Sequence, residues 1–354
     1  MTLAGGAVLP EVEVAFEQYG TLSPAGDNAV LVCHALTGSA HAAGEHDWWD
    51  SRSVGEGWWD PLIGPGAAFD TDRYSVICSN ILGSCYGTSG PISLDKRTGR
   101  RYGRSFPKIT VGDMVAVQRR LLEALGVKSL ATVTGGSLGG LQVVEWAAVA
   151  PEMVRSIIPI ASNLAHSAWN VGFNETAREA IRQDPNFWAG DYAEHGVHPD
   201  RGLALARMVA MISYRSAASF QDRFKREVHS AAREATGKYE VESYLHHQGE
   251  KLVARFDANC YLRITEGMDD FDVGEGRGGA AAALKRFGGP ALVMGIDSDI
   301  LYPNWQQHEV AETLRQNGNA VEYRDIHSIH GHDAFLIEWD QMDEAIRGFM
   351  ARLA

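Results

Sequence analysis

Ser137 lies in the run Gly135-Gly136-Ser137-Leu138-Gly139, which reads G-x-S-x-G. Between a strand and a helix such a run is a nucleophile elbow. A strained turn thrusts the serine hydroxyl above the sheet, and glycines flank it because a Cβ there would collide with neighbouring backbone. The helix that follows aims its first N–H groups at a reacting carbonyl. A serine hydroxyl is a poor nucleophile without a base, and the base needs an orienting acid. With the chain order serine, acid, histidine, the acid is expected just past a late strand and the histidine after the next one. "ALVMGIDSDILYP" offers Asp297 and Asp299, and "AVEYRDIHSIHGHDAFL" offers His327, His330 and His332. The oxyanion formed on attack needs two N–H donors. One is that of Leu138. The other is expected from the loop "CHALTGSAH", where Leu36 supplies its amide and the chain turns at Gly38. Both leucines would act through backbone alone.

The five-residue pattern is common by chance, and its weight comes from the elements around it. "AVLVCHA" (29–35) and "YSVICSN" (74–80) are short apolar runs suited to buried parallel strands, and "EVEVAFEQYG" (11–20) alternates like a half-buried strand. "TVGDMVAVQRRLLEALGV" (110–127) has a threonine start, apolar residues at helical spacing and a glycine stop. The strand "SLATVT" leads into the glycine run, a helix continues to about Ala150, and the strand "VRSIIPIAS" follows. This alternation predicts a mostly parallel sheet with helices on both faces. It breaks near Asn163. From there to Arg286 the segments "NETAREAIRQD", "GLALARMVAMISY", "FQDRFKREVHSAAREA" and "VESYLHHQGEKLVARF" read as amphipathic helices. Alternation returns after residues 288–290. The expected organisation is therefore a core of residues 1–162 and 287–354, interrupted by a helical insertion over residues 163–286.

Composition narrows the function. Of 354 residues, 45% are hydrophobic and 22% charged, an ordinary globular mixture. The net charge of −13 argues against nucleic acid as the main partner. No basic-then-apolar leader opens the sequence, and no apolar run is long enough to span a membrane, so a cytoplasmic protein is expected. Cys33, Cys78, Cys85 and Cys260 are scattered without a C-x-x-C pair, as buried thiols are. His330, His332 and Asp333 could crowd around a cation, but no matching ligand set appears elsewhere, and no metal is expected. His246 and His247 read as surface residues. "GEGRGG" (274–279) follows no strand, which makes it a flexible linker rather than a dinucleotide site.

Longer motifs carry a family resemblance. "HALTGSAH", "GWWDPLIGPG", "NILGSCYGTSGP", "GGSLGGLQ", "FNETAREAIRQDPNFWAGDY", "ARMVAMISYRS", "FDANCYL", "SDILYP" and "GHDAFL" together resemble homoserine O-acetyltransferases of methionine biosynthesis, from about residue 10 to the C-terminus. The resemblance implies an α/β-hydrolase fold with a helical lid, and a homodimer whose lids make the contact. It implies Ser137 as nucleophile, Asp299 rather than Asp297 as acid, and His332 rather than His327 or His330 as base. It also implies an amino-acid pocket of Arg207, Tyr214 and Asp333. An arginine suits an α-carboxylate, an aspartate an ammonium, and a tyrosine one further hydrogen bond. The implied reaction is ping-pong transfer of acetyl from acetyl-CoA to homoserine, with small-molecule substrates and no permanently bound cofactor. Two positions depart from the family pattern: Leu138 stands where methionine is common, and Ser84 where glycine is frequent. The rival readings are a succinyl donor, a serine acceptor, a simple esterase or thioesterase, and a scaffold kept for binding.

Overall fold

A computed structural model describes residues 1–46, 55–228 and 239–353. Seven strands form the main sheet: β1 (Phe16–Tyr19), β2 (Ala29–Cys33), β3 (Ser75–Ser79), β4 (Leu130–Gly136), β5 (Ile157–Ile160), β6 (Ala291–Ile296) and β7 (Val321–Ile326). Their spatial order is β1-β3-β2-β4-β5-β6-β7. All neighbours pair in parallel except β1, which runs antiparallel to β3. The short apolar runs are buried on both faces, as crossover helices require. In β2, Leu31 and Cys33 join the core under helices α1 (Val111–Ala124) and α2 (Leu138–Val149). Val30 and Val32 face the opposite core, where Trp59, Phe69 and the C-terminal helix pack. That single alternation makes two hydrophobic layers out of one strand.

Local signals set several boundaries. Thr110 accepts from the Asp113 N–H while the Asp113 side chain accepts from the Thr110 N–H, a reciprocal cap that opens α1. Gly126 takes a φ of +86° just beyond the helix end. The run 11–20 is only half a strand. The Glu13 and Ala15 N–H groups donate to the hydroxyls of Ser89 and Thr88, so the first residues are tied to a loop instead of joining a ladder.

Between β5 and β6 lie α3 (Ala168–Arg182), α4 (Asp200–Tyr214), α5 (Ala217–Phe224), α6 (Glu240–Val253), α7 (Ala258–Asp269) and α8 (Ala280–Leu284). The helix expected over 220–235 ends at Phe224, because Lys225 turns to a φ of +47°; residues 229–235 of that expectation lie outside the described residues. Helix α7 had no separate reading in the sequence. It is buried on most sides, including Asn259 and Thr265, and its N-terminus is capped by Asp257. Residues 274–279 are a pinned turn rather than a flexible linker. Arg277 makes a two-pronged ion pair with the buried Glu145 carboxylate at 2.8 and 2.6 Å, and a Cβ on Gly274 would meet the Gly279 backbone. After β6 come α9 (Asn304–Gln316) and, after β7, α10 (Trp339–Ala351).

Candidate active site

Strand β4 runs straight into α2, and Ser137 is the residue at the corner, with φ 59° and ψ −127°. A β-carbon-bearing residue at positive φ is strained and persists only where its surroundings enforce it. The glycines show how. A Cβ on Gly135 or Gly139 would lie 2.4 or 2.1 Å from the Cys33 carbonyl oxygen, and one on Gly140 would lie 2.5 Å from the Ser162 Cβ. The absent side chains let β2, β5 and α2 close around the corner. Ser137 is nearly buried, and the Leu138 and Leu36 N–H groups donate to no protein acceptor among the described residues.

Asp299 follows β6 and His332 follows β7. Asp299 Oδ2 and His332 Nδ1 are 2.6 Å apart, with both side chains almost wholly withdrawn from solvent. The other carboxylate oxygen, Oδ1, accepts from the Leu301 and Tyr302 N–H groups at 2.8 and 2.9 Å. The aspartate is thus fixed at both oxygens. The imidazole is held on its faces and edge as well: Tyr302 stacks on it at 5.1 Å between centroids, and Phe335 meets it edge-on at 5.5 Å. A short 3₁₀ turn, Gly331–Leu336, carries the histidine to this place. Gly331 has a φ of +67°, and a Cβ there would strike the backbone at Arg215 and Ser216. Phe335 of the same turn sits where a Cβ on Gly136 would be, which seats the turn directly on the elbow. His332 Nε2 is buried and has no hydrogen-bond partner among the described residues.

The neighbouring candidates go elsewhere. His327 pairs with Asp297, Nδ1 to Oδ2 at 2.9 Å, on the surface, and that carboxylate raises the imidazole pKa. His330 Nδ1 lies 3.4 Å from the Arg215 guanidinium, an unfavourable neighbour for a cation. No group of three His, Cys, Asp or Glu side chains is arranged to hold a metal ion among the described residues.

A narrow cavity opens over the serine, with about 420 Å³ of empty space that includes its mouth. Its wall is formed by Leu36, Ser137 and Tyr302 from the core, with His166, Asn174, Tyr214 and Tyr261 from the insertion. Burial pushes the Tyr214 hydroxyl pKa up and drives that of His166 down to about 3, so both stay neutral. The Arg207 guanidinium lies 5.4 Å from the Tyr214 ring centroid and has no carboxylate partner among the described residues. Asp333 does have an ion-pair partner, the Arg215 guanidinium, whose Nε lies 3.2 Å from its Oδ2. Burial raises the Asp333 pKa, and Arg215, Arg207 and His332 oppose that rise. Ser84, the departure from glycine, is fully buried and does not line the cavity.

Three further residues had no assigned role in the sequence. His34 is wholly buried. Its Nδ1 meets the Ala35 carbonyl at 2.8 Å, its Nε2 accepts from the Ile81 N–H at 3.1 Å, and burial lowers its pKa to about 4. Neutral and bonded at both nitrogens, it fixes the loop that carries Leu36. Arg255, from the insertion, donates to the Thr37 carbonyl and the Tyr86 hydroxyl at 2.6 Å each, and to the Thr37 hydroxyl at 3.2 Å. Arg215 is the partner of Asp333. It stands inside the quoted motif "ARMVAMISYRS", but a single sequence gives no cue as to which arginine meets which acid.

Comparison with known proteins fits this geometry. Residues 28–336 match the model of the alpha/beta hydrolase fold. The homoserine O-acetyltransferase of Carboxydothermus hydrogenoformans is 46% identical over 100% of this chain and 93% of its own length. The chain belongs to the homoserine O-acetyltransferase family. The crystal structure of homoserine O-acetyltransferase from Bacillus anthracis superposes with a TM-score of 0.90 at 28% identity, covering 99% of this chain and 95% of that one. Esterase E22 superposes equally well, with a TM-score of 0.90 at 29% identity over 99% of this chain and 97% of that one. Backbone shape therefore does not separate transferases of this family from hydrolases, and side chains must.

Proposed function

We propose that the protein is a homoserine O-acetyltransferase acting through an acetyl-serine. The observation that carries this reading is the buried Asp299–His332 pair, whose Nε2 is left unpartnered beside the Ser137 elbow. His332 takes the Ser137 proton as the hydroxyl attacks the thioester of acetyl-CoA, while Asp299 holds the imidazole tautomer and stabilises its charged form. The Leu36 and Leu138 amides stabilise the oxyanion. Coenzyme A leaves with the proton. Homoserine enters, His332 deprotonates its side-chain hydroxyl, and the acyl-serine is attacked.

Arg207 supports transfer over simple hydrolysis. An esterase has no use for a guanidinium left without a carboxylate against Tyr214 of the cavity wall, whereas an α-carboxylate can bind it in two-pronged fashion. Tyr214 adds a hydrogen bond, and Asp333, already balanced by Arg215, offers its carboxylate to the ammonium. Holding the acceptor in this way must outcompete water, and effective molarities of roughly 10⁵ M are within reach of such positioning. The insertion helices roof the cavity and keep it dry. No cofactor is held permanently, and acetyl-CoA is a co-substrate.

The same reading places the enzyme in methionine biosynthesis, in the cytoplasm; no helix among the described residues is long and apolar enough to cross a membrane. Leu205 and Ile212, seven residues apart on α4 and each about half exposed, give the insertion an apolar stripe that suits a homodimer contact. Intact-mass measurement after mixing with acetyl-CoA tests the mechanism. The expected result is one acetyl adduct on the protein that homoserine removes, and none on Ser137→Ala. An adduct on Ser137→Ala would overturn the assignment of the nucleophile.

A further inference from the structure

Tyr302 touches each member of the proposed triad in a different way. Its N–H donates to Asp299 Oδ1 at 2.9 Å. Its ring lies nearly parallel to the His332 imidazole, at 18° between planes. Its hydroxyl faces Ser137 and lines the cavity above it. The residue is fully buried, and its hydroxyl has no satisfied hydrogen bond among the described residues. Burial pushes its pKa well up, so the phenol keeps its proton and acts as a donor.

Two buried polar atoms on stacked rings thus stand without partners: a phenol that needs an acceptor, and His332 Nε2, which needs a donor. Buried polar groups in native proteins are nearly always paired, and an unpaired one calls for an explanation. One ligand group satisfies both at once, an alcohol, which donates its O–H to Nε2 and accepts from the phenol. We propose that Tyr302 is a catalytic residue of the deacylation half-reaction, its hydroxyl donating to the oxygen of the incoming acceptor alcohol and holding that oxygen between the acyl-serine and His332 Nε2. This rests on the acyl-serine reading.

In the resting enzyme the phenol faces the Ser137 hydroxyl. Once that oxygen is esterified it has no proton to offer, and the phenol, still without an acceptor, donates to the newcomer. The acceptor oxygen then bonds to the acyl carbon, its proton passes to Nε2, and the carbonyl electron pair moves onto the oxyanion. On collapse the bond from the acyl carbon to Ser137 Oγ breaks, and the Nε2 proton returns to Oγ. Tyr302 keeps its own proton throughout. The arrangement favours oxygen over sulfur acceptors, because a thiol sulfur accepts hydrogen bonds poorly.

Tyr302→Phe deletes the hydroxyl and keeps the stacked ring. Rapid-quench mass measurement should find acylation by acetyl-CoA within about threefold of wild type, while transfer from the preformed acetyl-enzyme to homoserine slows about tenfold. Transfer that is not slowed, or equal slowing of both half-reactions, would overturn the proposal. A second measurement needs no variant: the wild-type acetyl-enzyme should react with homoserine faster than with its thiol analogue homocysteine, and the reverse preference would also overturn it. If no acetyl adduct forms on the wild-type protein, the covalent reading itself fails, and this inference with it.

Discussion

Two aspartate–histidine pairs stand at the same edge of the sheet, made of the same residue types on the same two loops. Asp297 and His327 are 2.9 Å apart, with side chains 43% and 76% exposed. Asp299 and His332 are 2.6 Å apart, with side chains 0% and 4% exposed. The first pair is screened by water and has little to gain from its own attraction. The second sits where a charge has no solvent to stabilise it, so every hydrogen bond to it counts for more. Two residues along one loop and five along the other separate a surface contact from the core of the proposed reaction centre. Proximity of the right groups is therefore not what makes such a pair chemical; burial, fixed partners and an adjacent nucleophile do that.

The contrast is easiest to break at the carboxylates. Asp299→Asn should lower kcat by about 10⁴, because the amide presents the wrong partner to the imidazole. Asp297→Asn should leave kcat within about twofold, as surface substitutions away from the site do. A comparable loss at both positions, read from steady-state turnover, would erase the distinction. A smaller effect is expected one step out. Arg207→Ala should slow transfer to homoserine about a hundredfold while leaving the acylation burst nearly intact, since a two-pronged charged contact is worth a few kcal/mol. Equal loss in the two phases would mean that Arg207 shapes the site rather than holding the acceptor.

The smallest effect concerns imidazoles buried without a carboxylate. His34 and His166 have folded pKa values lowered to about 4 and about 3, below the usual 6.5. Their neutral forms are favoured by folding. The stability they contribute is fully present above pH 6.5 and is lost as pH falls through the folded values. Denaturant midpoints should therefore decline from pH 6.5 towards pH 4, and His34→Gln should show a shallower decline. An identical slope in the variant would count against burial as the cause.

Much of this was legible in the residues. The elbow declares itself because a corner that tight requires glycine at Gly135 and Gly139, and glycine leaves a mark in sequence. The buried strands were visible as apolar runs, and α1 by its threonine cap. The choice between Asp297 and Asp299 came from the family motif and not from pattern or spacing. Both follow the same strand, and burial and the partners each carboxylate meets tell them apart. The run 11–20 misled because alternation records which face is buried, not whether a neighbouring strand exists to accept its hydrogen bonds. Arg215, His34 and Arg255 escaped because their partners lie far away along the chain, at Asp333, Ile81 and Thr37.

The grip of Arg255 on Thr37 has an evolutionary corollary. A roof that clasps the Leu36 loop beneath it cannot be traded as an independent part. Shortening or exchanging the insertion would loosen that loop, so lineages that remodel their covering helices must either keep this clasp or reinvent another way to brace it.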